Sequence, residues 1–543
     1  MTSTTTQALA GLELSKETTE HIDKADRAAD DGFADIPLSK FAAMPTSQLI
    51  RKFWRLYLCG LSVSLAAMYI GYTVSTPGNV VANQGFINQF GTVHNAQTGA
   101  LELNASHISL WAGFSYVAQI TTQILSPISG DRYGRRFNMY CFTMAMVIAI
   151  ILEIVAKDWK VYLVAKVFSG LCCGFLGTTV MAYMSEITMP QMRGTLLASF
   201  SFSWSLGGLF SAIGLQVLAT TAPLEYKRIF YSEFVLLAIW LPPLFFLPES
   251  PAWLADKGKD DKAKKSLRRL VGKVDGYDVD YEYSCIKAEM DQSKALLAAK
   301  TDNGWKALFK GSNLKRALIS TIPFTFQNFV GVPLVYGNTT YFFQTAGLQD
   351  AFLGSLIISI IGIFGIGISF LYLVERVGRR TLVLVGSGVC IVCCLIIGVL
   401  GTQDINDRLA IALITLCSVW VLFYSFSLGP IGWMALVEIS SPVLRAKTAA
   451  MATVIQSCTG VLFNYTVPLM LSPQYAGWGT KIGFFFAGLS VLYWIPTYLW
   501  FPETKGRSYA ALDELFERGV SPRHFAKTKT SVEESAEVMH PTA

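Results

Sequence analysis

Residues 194–224 contain no Asp, Glu, Lys or Arg, and neither do residues 317–349. Uncharged stretches of that length are not surface segments of a water-soluble protein. In hydrocarbon, such a segment must satisfy its own backbone hydrogen bonds, so it crosses as a helix. A crossing takes about 20 apolar residues. Twelve apolar runs succeed one another, at about 54–76, 108–130, 137–156, 161–184, 196–219, 229–247, 317–341, 352–374, 381–401, 409–436, 449–471 and 482–501. Composition agrees. The 543 residues are 52% hydrophobic and 15% charged, against about 25% charged in soluble proteins. This excludes a disordered, collagen-like or disulfide-scaffold chain. A net charge of +6, without a dense basic stripe, argues against a nucleic-acid partner. The lipid bilayer is the expected surrounding, and a monomer is the expected state.

Lys and Arg counts give the orientation. Segment 77–107 has neither residue, while the next loop carries Arg132, Arg135 and Arg136. Segment 342–351 again has none, and Arg376, Arg379 and Arg380 follow. Segment 248–316 holds fifteen. Both termini and the even-numbered loops are therefore expected in the cytosol. The divisions expected are a cytosolic tail over 1–53, a six-helix bundle over 54–247, a cytosolic linker over 248–313, a second six-helix bundle over 314–501 and a cytosolic tail over 502–543. Residues 1–53 lack the apolar core and small-residue site of a cleavable signal. Lys257–Val271 mixes charged and apolar positions at helical spacing, so the linker is read as short amphipathic helices. Residues 290–312 read equally well as a solvated linker. Asn104-Ala-Ser106 falls in the first outer loop as a glycosylation sequon.

Nine of the ten cysteines lie in apolar stretches, with Cys285 the exception. Cys390, Cys393 and Cys394 have no histidine or acid beside them, so they read as small buried hydrophobes rather than metal ligands. All five histidines lie outside the apolar runs. No cofactor or metal is expected.

The two halves repeat each other. Gly130-Asp-Arg-Tyr-Gly-Arg-Arg136 follows the second run, and Val374-Glu-Arg-Val-Gly-Arg-Arg380 follows the eighth, 244 residues later. Ser185-Glu186-Ile187 with Arg193 recurs as Val437-Glu438-Ile439 with Arg445, at an offset of 252. Pro248-Glu-Ser-Pro251 recurs as Pro502-Glu-Thr-Lys505, at an offset of 254. This predicts an all-α membrane protein with twelve transmembrane helices in two bundles related by an axis along the membrane normal. A transporter with its site at the bundle interface suits that arrangement. Asp131, Glu186, Glu375 and Glu438, with Arg135, Arg136, Arg193, Arg379, Arg380 and Arg445, make a candidate cytosolic gate of ion pairs between bundles. The alternative for Arg135, Arg136, Arg379 and Arg380 is that they only enforce topology.

Over about residues 54–525 these motifs resemble the sugar porter family of the major facilitator superfamily. The resemblance rests on Gly130–Arg136, Ser185–Gly194, Pro248–Leu254, Gln327-Asn328 with Gly331, Val374–Arg380, Gly429-Pro430 with Trp433 and Glu438, and Pro502–Arg507. Tyr341–Gly347, Trp478-Gly479 and the tail Phe516–Phe525 look most like fungal sugar and α-glucoside permeases. The resemblance implies the major facilitator fold and uptake of a sugar across the plasma membrane by alternating access. It implies sugar binding by Gln327 and Asn328 on the seventh span, Trp433 on the tenth and Asn464 on the eleventh. Intramembrane polar groups are costly, which singles out the same side chains; each also reads as a helix-packing amide or interface aromatic.

The chain departs from the family at several positions. Ser201 stands where many relatives carry an amide. Val332-Pro333 replaces another asparagine and is expected to kink the seventh span, with Tyr336 and Asn338 compensating. Trp204 is a further candidate wall. Substrates compatible with these changes include a hexose, a disaccharide, a polyol or a cyclic polyol acid. At the coupling position, proton-linked members carry an acid after Gly-Tyr, facing a base. This chain has Gly71-Tyr72-Thr73, and Lys166 as a base without its expected partner. Glu153 and Glu233 read as outer helix ends. Proton symport and facilitated diffusion both stay open. Two other functions stay beside sugar transport: a non-transporting sensor of the same fold, and a carrier of a non-sugar solute such as a quinate-like acid. No enzyme signature is present.

Overall fold

The computed structural model describes residues 41, 44, 46–94, 99–299, 308–309, 311–348, 350–403, 407–440, 444–505, 512, 514–516 and 518–530. Most of the expected N-terminal tail, half of the C-terminal tail, and residues 300–307 and 310 of the linker lie outside the described residues.

The chain forms the expected twelve-helix fold. The first bundle comprises Trp54–Ser64 continuing as Ala66–Val80, then Ala105–Tyr133, Arg135–Val155, Trp159–Ile187, Pro190–Thr221, and Lys227–Tyr231 continuing as Glu233–Phe246. The second comprises the broken seventh span, Ala351–Ile368 with the π-helical turn Ser369–Leu373, Arg379–Leu400, Asp407–Phe426 with Leu428–Glu438, Arg445–Leu471, and Ile482–Trp500. Ten helices among the described residues are long and apolar enough to cross a membrane. The second and seventh spans are the two that are not. Ala105–Tyr133 carries Ser115, Gln119, Thr121, Thr122 and Gln123 through its middle. Gly311–Phe329 stops early because Gly331 takes a left-handed conformation (φ 109°). The expected kink at Pro333 thus begins two residues before the proline. Pro333 itself sits in the first turn of Val332–Val335, where its missing N–H has no intrahelical partner to lose. Thr339–Thr345 completes the span.

Each bundle has its own apolar core. The short helix Gln84–Phe90 and a two-stranded antiparallel pair, Val93–His94 with Leu101–Glu102, lie between the first two spans. Asn83 and Asn104 cap the helices that follow them, each accepting backbone N–H bonds through its side-chain oxygen. The sequon asparagine is therefore a helix cap.

The linker contains Pro251–Asp256, Asp260–Val271 and Val279–Ala299. Helix thus continues past residue 290, where a solvated linker was an equal expectation. Ala263, Leu267, Leu270 and Val271 turn inward and join the core of the first bundle. Tyr283 and Lys287 both donate to Asp260, at 2.6 and 2.9 Å, and hold its carboxyl below the ordinary range. The face carrying these helices is called the linker face below, and the other the far face.

Candidate functional site

On the linker face the sequence repeat becomes a structural one. Gly134 (φ 105°) and Gly378 (φ 98°) each reverse the chain between two spans. A Cβ on Gly134 would lie 2.4 Å from a Glu249 carboxylate oxygen, and one on Gly378 would lie 2.7 Å from a Glu503 oxygen. Both positions therefore need glycine for conformation and for space. Glu249 Oε1 accepts from Arg135 N at 2.9 Å, and Glu249 Oε2 accepts from Arg136 N at 3.2 Å. Glu503 accepts from Arg379 N at 2.8 Å and from Arg380 N at 3.1 Å. In each bundle a carboxylate from the end of the last span caps the positive end of the third helix in that bundle.

The arginine side chains complete the cluster. Arg135 forks onto Glu186 (2.7 and 3.0 Å) and reaches Asp131 at 2.8 Å. Arg379 reaches Glu438 at 3.3 Å, and Thr504 donates to the other Glu438 oxygen at 2.5 Å. Arg136 donates to Tyr140, while Arg380 donates to the carbonyls of Tyr498 and Phe501. The side chains of Arg193, Glu375 and Arg445 lie outside those described. The ion pairs described for this set join helices of one bundle, whereas the sequence led us to expect pairs between bundles. Glu249 and Glu503 went unassigned, although the repeated Pro-Glu motif marked them.

In mid-membrane the seventh span is stitched between the tenth and eleventh. Gln327 Nε2 donates to Leu428 O at 3.0 Å, and its Oε1 accepts from Tyr424 OH at 3.1 Å. Asn328 Nδ2 donates to Gln456 O at 2.8 Å and Thr459 Oγ1 at 2.7 Å. An amide has two N–H groups and two acceptor lone pairs. Asn328 has therefore used its donors, and its carbonyl oxygen remains for an incoming hydroxyl. Gln327 keeps one donor and one lone pair. Trp433 is 41% exposed, with Phe324 edge-on at 4.5 Å. It follows Gly432, whose Cα faces Gln327. Asn464 donates to Gly460 O at 2.9 Å, and Tyr116 of the first bundle faces it.

The other candidates sit elsewhere. Tyr336 OH meets Ser425 Oγ at 3.5 Å, and its ring lies beside Tyr424, one step behind Gln327. Asn338 donates to Pro333 O and serves the break in its own helix. Ser201 and Trp204 lie on the fifth span; the Trp204 carbonyl abuts Gly71 of the first. Tyr424, Gln456 and Thr459 were missed. The available signal was their polarity within apolar runs.

At the coupling position Thr73 is buried and its hydroxyl has no partner. Lys166 departs from expectation. Its ammonium lies 2.7 Å from Glu153 Oε1, with both side chains at most 2% exposed. Glu153, read as an outer helix end, lies two residues from the end of Arg135–Val155 and is the buried partner of Lys166.

The bundles meet on the far face. Asn79 Oδ1 accepts from Thr340 Oγ1 at 2.8 Å and Thr340 N at 3.2 Å. Gln474 donates to Leu103 O at 2.9 Å and accepts from Ala105 N at 3.2 Å. Deeper in, Ser457 donates to Gln123 at 2.9 Å.

The sequence is 30% identical to the MFS transporter fmqE of Aspergillus fumigatus, over 88% of each chain. It is 28% identical to the general alpha-glucoside permease of Saccharomyces cerevisiae, over 95% of this chain and 83% of that protein. The fold matches the inward open conformation of the xylose transporter XylE from E. coli with a TM-score of 0.68 at 18% identity, covering 85% of this chain and 99% of that one. The family model for sugar (and other) transporters matches residues 59–516, and the chain belongs to that family.

Proposed function

We propose that this protein carries a sugar across the plasma membrane by alternating access, with the linker face and both tails in the cytosol. The observation that carries the reading is the amide pair Gln327–Asn328. Each amide is fixed by its neighbours, yet retains hydrogen-bonding capacity, and on the tenth span Trp433 stands half-exposed next to the Gly432 that faces Gln327. Fixed amides suit sugar hydroxyls, because their orientation does not have to be frozen on binding. An aromatic face suits the C–H surface of a pyranose ring. The far-face contacts of Asn79 and Gln474 across the bundles fit a state closed to the outside.

The relatives named as α-glucoside and maltose permeases put α-glucosides first in the substrate panel, followed by hexoses and polyols. The test is uptake of labelled maltose, glucose, xylose and sorbitol by transport-deficient cells producing the full chain. Uptake of at least one, lost in Trp433→Ala at equal surface abundance, is expected. No uptake of any of them, or competition by quinate-like acids and not by sugars, would overturn the reading.

A further inference from the structure

Among the described residues, the first bundle buries two acids, Glu153 and Glu233, and one base, Lys166. Glu153 and Lys166 form an ion pair at 2.7 Å, which is neutral as a unit. Glu233, the first residue of Glu233–Phe246, is fully buried beside them. Neither of its carboxylate oxygens has a hydrogen-bond partner, and neither does Glu153 Oε2. The groups facing Glu233 are Glu153, Lys166 and Tyr69, with Tyr72, Tyr162, Cys172 and Cys173 around them. The Tyr162 and Phe230 rings lie 5.1 and 5.9 Å from the Lys166 ammonium.

Two ionised carboxylates against a single ammonium leave a net negative charge in a low-dielectric interior, which costs several kcal/mol. One proton removes that charge. It also turns one orphan oxygen into a donor for another, so Glu233 and Glu153 pair as acid and carboxylate. The Tyr69 hydroxyl, likewise without a partner, then has a carboxyl oxygen to donate to.

We infer that Glu153, Lys166 and Glu233 hold one exchangeable proton and are the proton-coupling site of the transporter, in place of the acid that Thr73 does not supply. This rests on the sugar-transport reading above. In the step, an outer hydronium ion gives its proton to a Glu233 or Glu153 oxygen, forming one O–H bond. That bond breaks when the proton passes to water on the cytosolic side, and nothing is oxidised or reduced.

The first span links the site to the bundle interface. Tyr69 faces Glu233, and Tyr72 OH contacts Ser232 Oγ at 2.5 Å and Ile229 O at 3.0 Å. Farther along the same helix, Asn79 holds Thr340 of the seventh span. A change of charge at the site thereby acts on the helix that docks the other bundle.

The test uses the purified full chain in liposomes, with labelled maltose, glucose, xylose and sorbitol as probes. Exchange of labelled for unlabelled sugar needs no net proton movement, whereas accumulation under an inward acid gradient does. Glu233→Gln and Glu153→Gln are each expected to keep exchange and to lose accumulation, falling to the level outside. Infrared difference spectra between acid and alkaline pH are expected to show a protonated-carboxyl band in the wild type that both variants lose. Glu233→Asp, which keeps the carboxyl, should retain the band. Wild-type accumulation in both glutamine variants, or a band that persists in both, overturns the site. A wild type that exchanges sugar without accumulating it overturns coupling and leaves the transport reading standing. A wild type that exchanges no sugar overturns the transport reading, and the infrared band then decides the proton site alone.

Discussion

Asn79 Oδ1 accepts two hydrogen bonds from Thr340, from its backbone N–H and its hydroxyl, and so ties the first span to the seventh across the two bundles. Beside it, a Cβ on Gly78 would lie 1.7 Å from the Gly337 carbonyl oxygen. The two helices touch backbone to backbone here. Asn79→Ala leaves the buried Thr340 N–H unsatisfied, while the Thr340 hydroxyl keeps Ser355 Oγ at 2.6 Å, at a cost of about 1–3 kcal/mol. Only the far-face-closed state pays it, so the population shifts toward the outward-open state. Gly78→Ala should go further, because the added methyl prevents the approach. Labelling of a cysteine placed at Tyr116 by a membrane-impermeant thiol reagent, added from the far face to a background lacking the native reactive thiols, should rise in both variants. Unchanged labelling in Gly78→Ala would remove this contact from the closing motion.

At the binding site the orientation of Gln327 depends on Tyr424. Tyr424→Phe removes one hydrogen bond and keeps the ring stacked on Trp420. A loss of about 1 kcal/mol, or roughly fivefold weaker sugar binding, is expected. Gln327→Ala should cost more, because it also frees Leu428 O. Measured by isothermal titration with the transported sugar, equal affinities in Tyr424→Phe and the wild type would mean that Gln327 needs no positioning.

Glu249 and Glu503 each cap a helix whose first turn starts with two arginines. Glutamine in their place keeps an acceptor but loses the charge that faces the helix dipole. Each single change is expected to cost about 1–2 kcal/mol of stability. The double change should cost close to the sum, because the caps belong to different bundles. Thermal unfolding in detergent reads this, while substrate affinity in the surviving fraction should stay at the wild-type value.

Twelve spans, two halves and the order of the repeated motifs were legible in the sequence, because hydrocarbon imposes length and apolarity on each helix separately. Gly134, Gly378, Glu249 and Glu503 were visible as repeats, yet their joint role was not, since a cap formed across more than a hundred residues has no local signature. The intra-bundle pairs show the same limit: spacing marked Arg135 and Glu186 as partners for something, and only packing decides which helix each reaches. Lys166 shows it most clearly. Glu153 is thirteen residues away, on the other side of a tight turn, and reads as a helix end until the third and fourth spans are laid side by side.

That pair gives the last prediction. Lys166→Met should destabilise by about 3–5 kcal/mol, because Glu153 and Glu233 are then buried without a cation. Glu153→Gln alone removes the direct partner of Lys166, but Glu233 can take over the ammonium by a short movement, so its cost should be smaller. If the two acids share the cation, the combination Lys166→Met with Glu153→Gln leaves only Glu233, which becomes neutral on taking up a proton. The double variant should therefore be more stable than Lys166→Met alone, and that margin should shrink as the pH is lowered, because Lys166→Met alone has two acids to neutralise with protons and the double variant only one. A full cycle of melting temperatures, taken at two pH values with Glu233→Gln added as a third arm, reads the coupling among all three side chains. Additivity of Glu233→Gln with both other changes, beside a coupled Lys166–Glu153 pair, would mean that the acids act independently and that Lys166 serves Glu153 only.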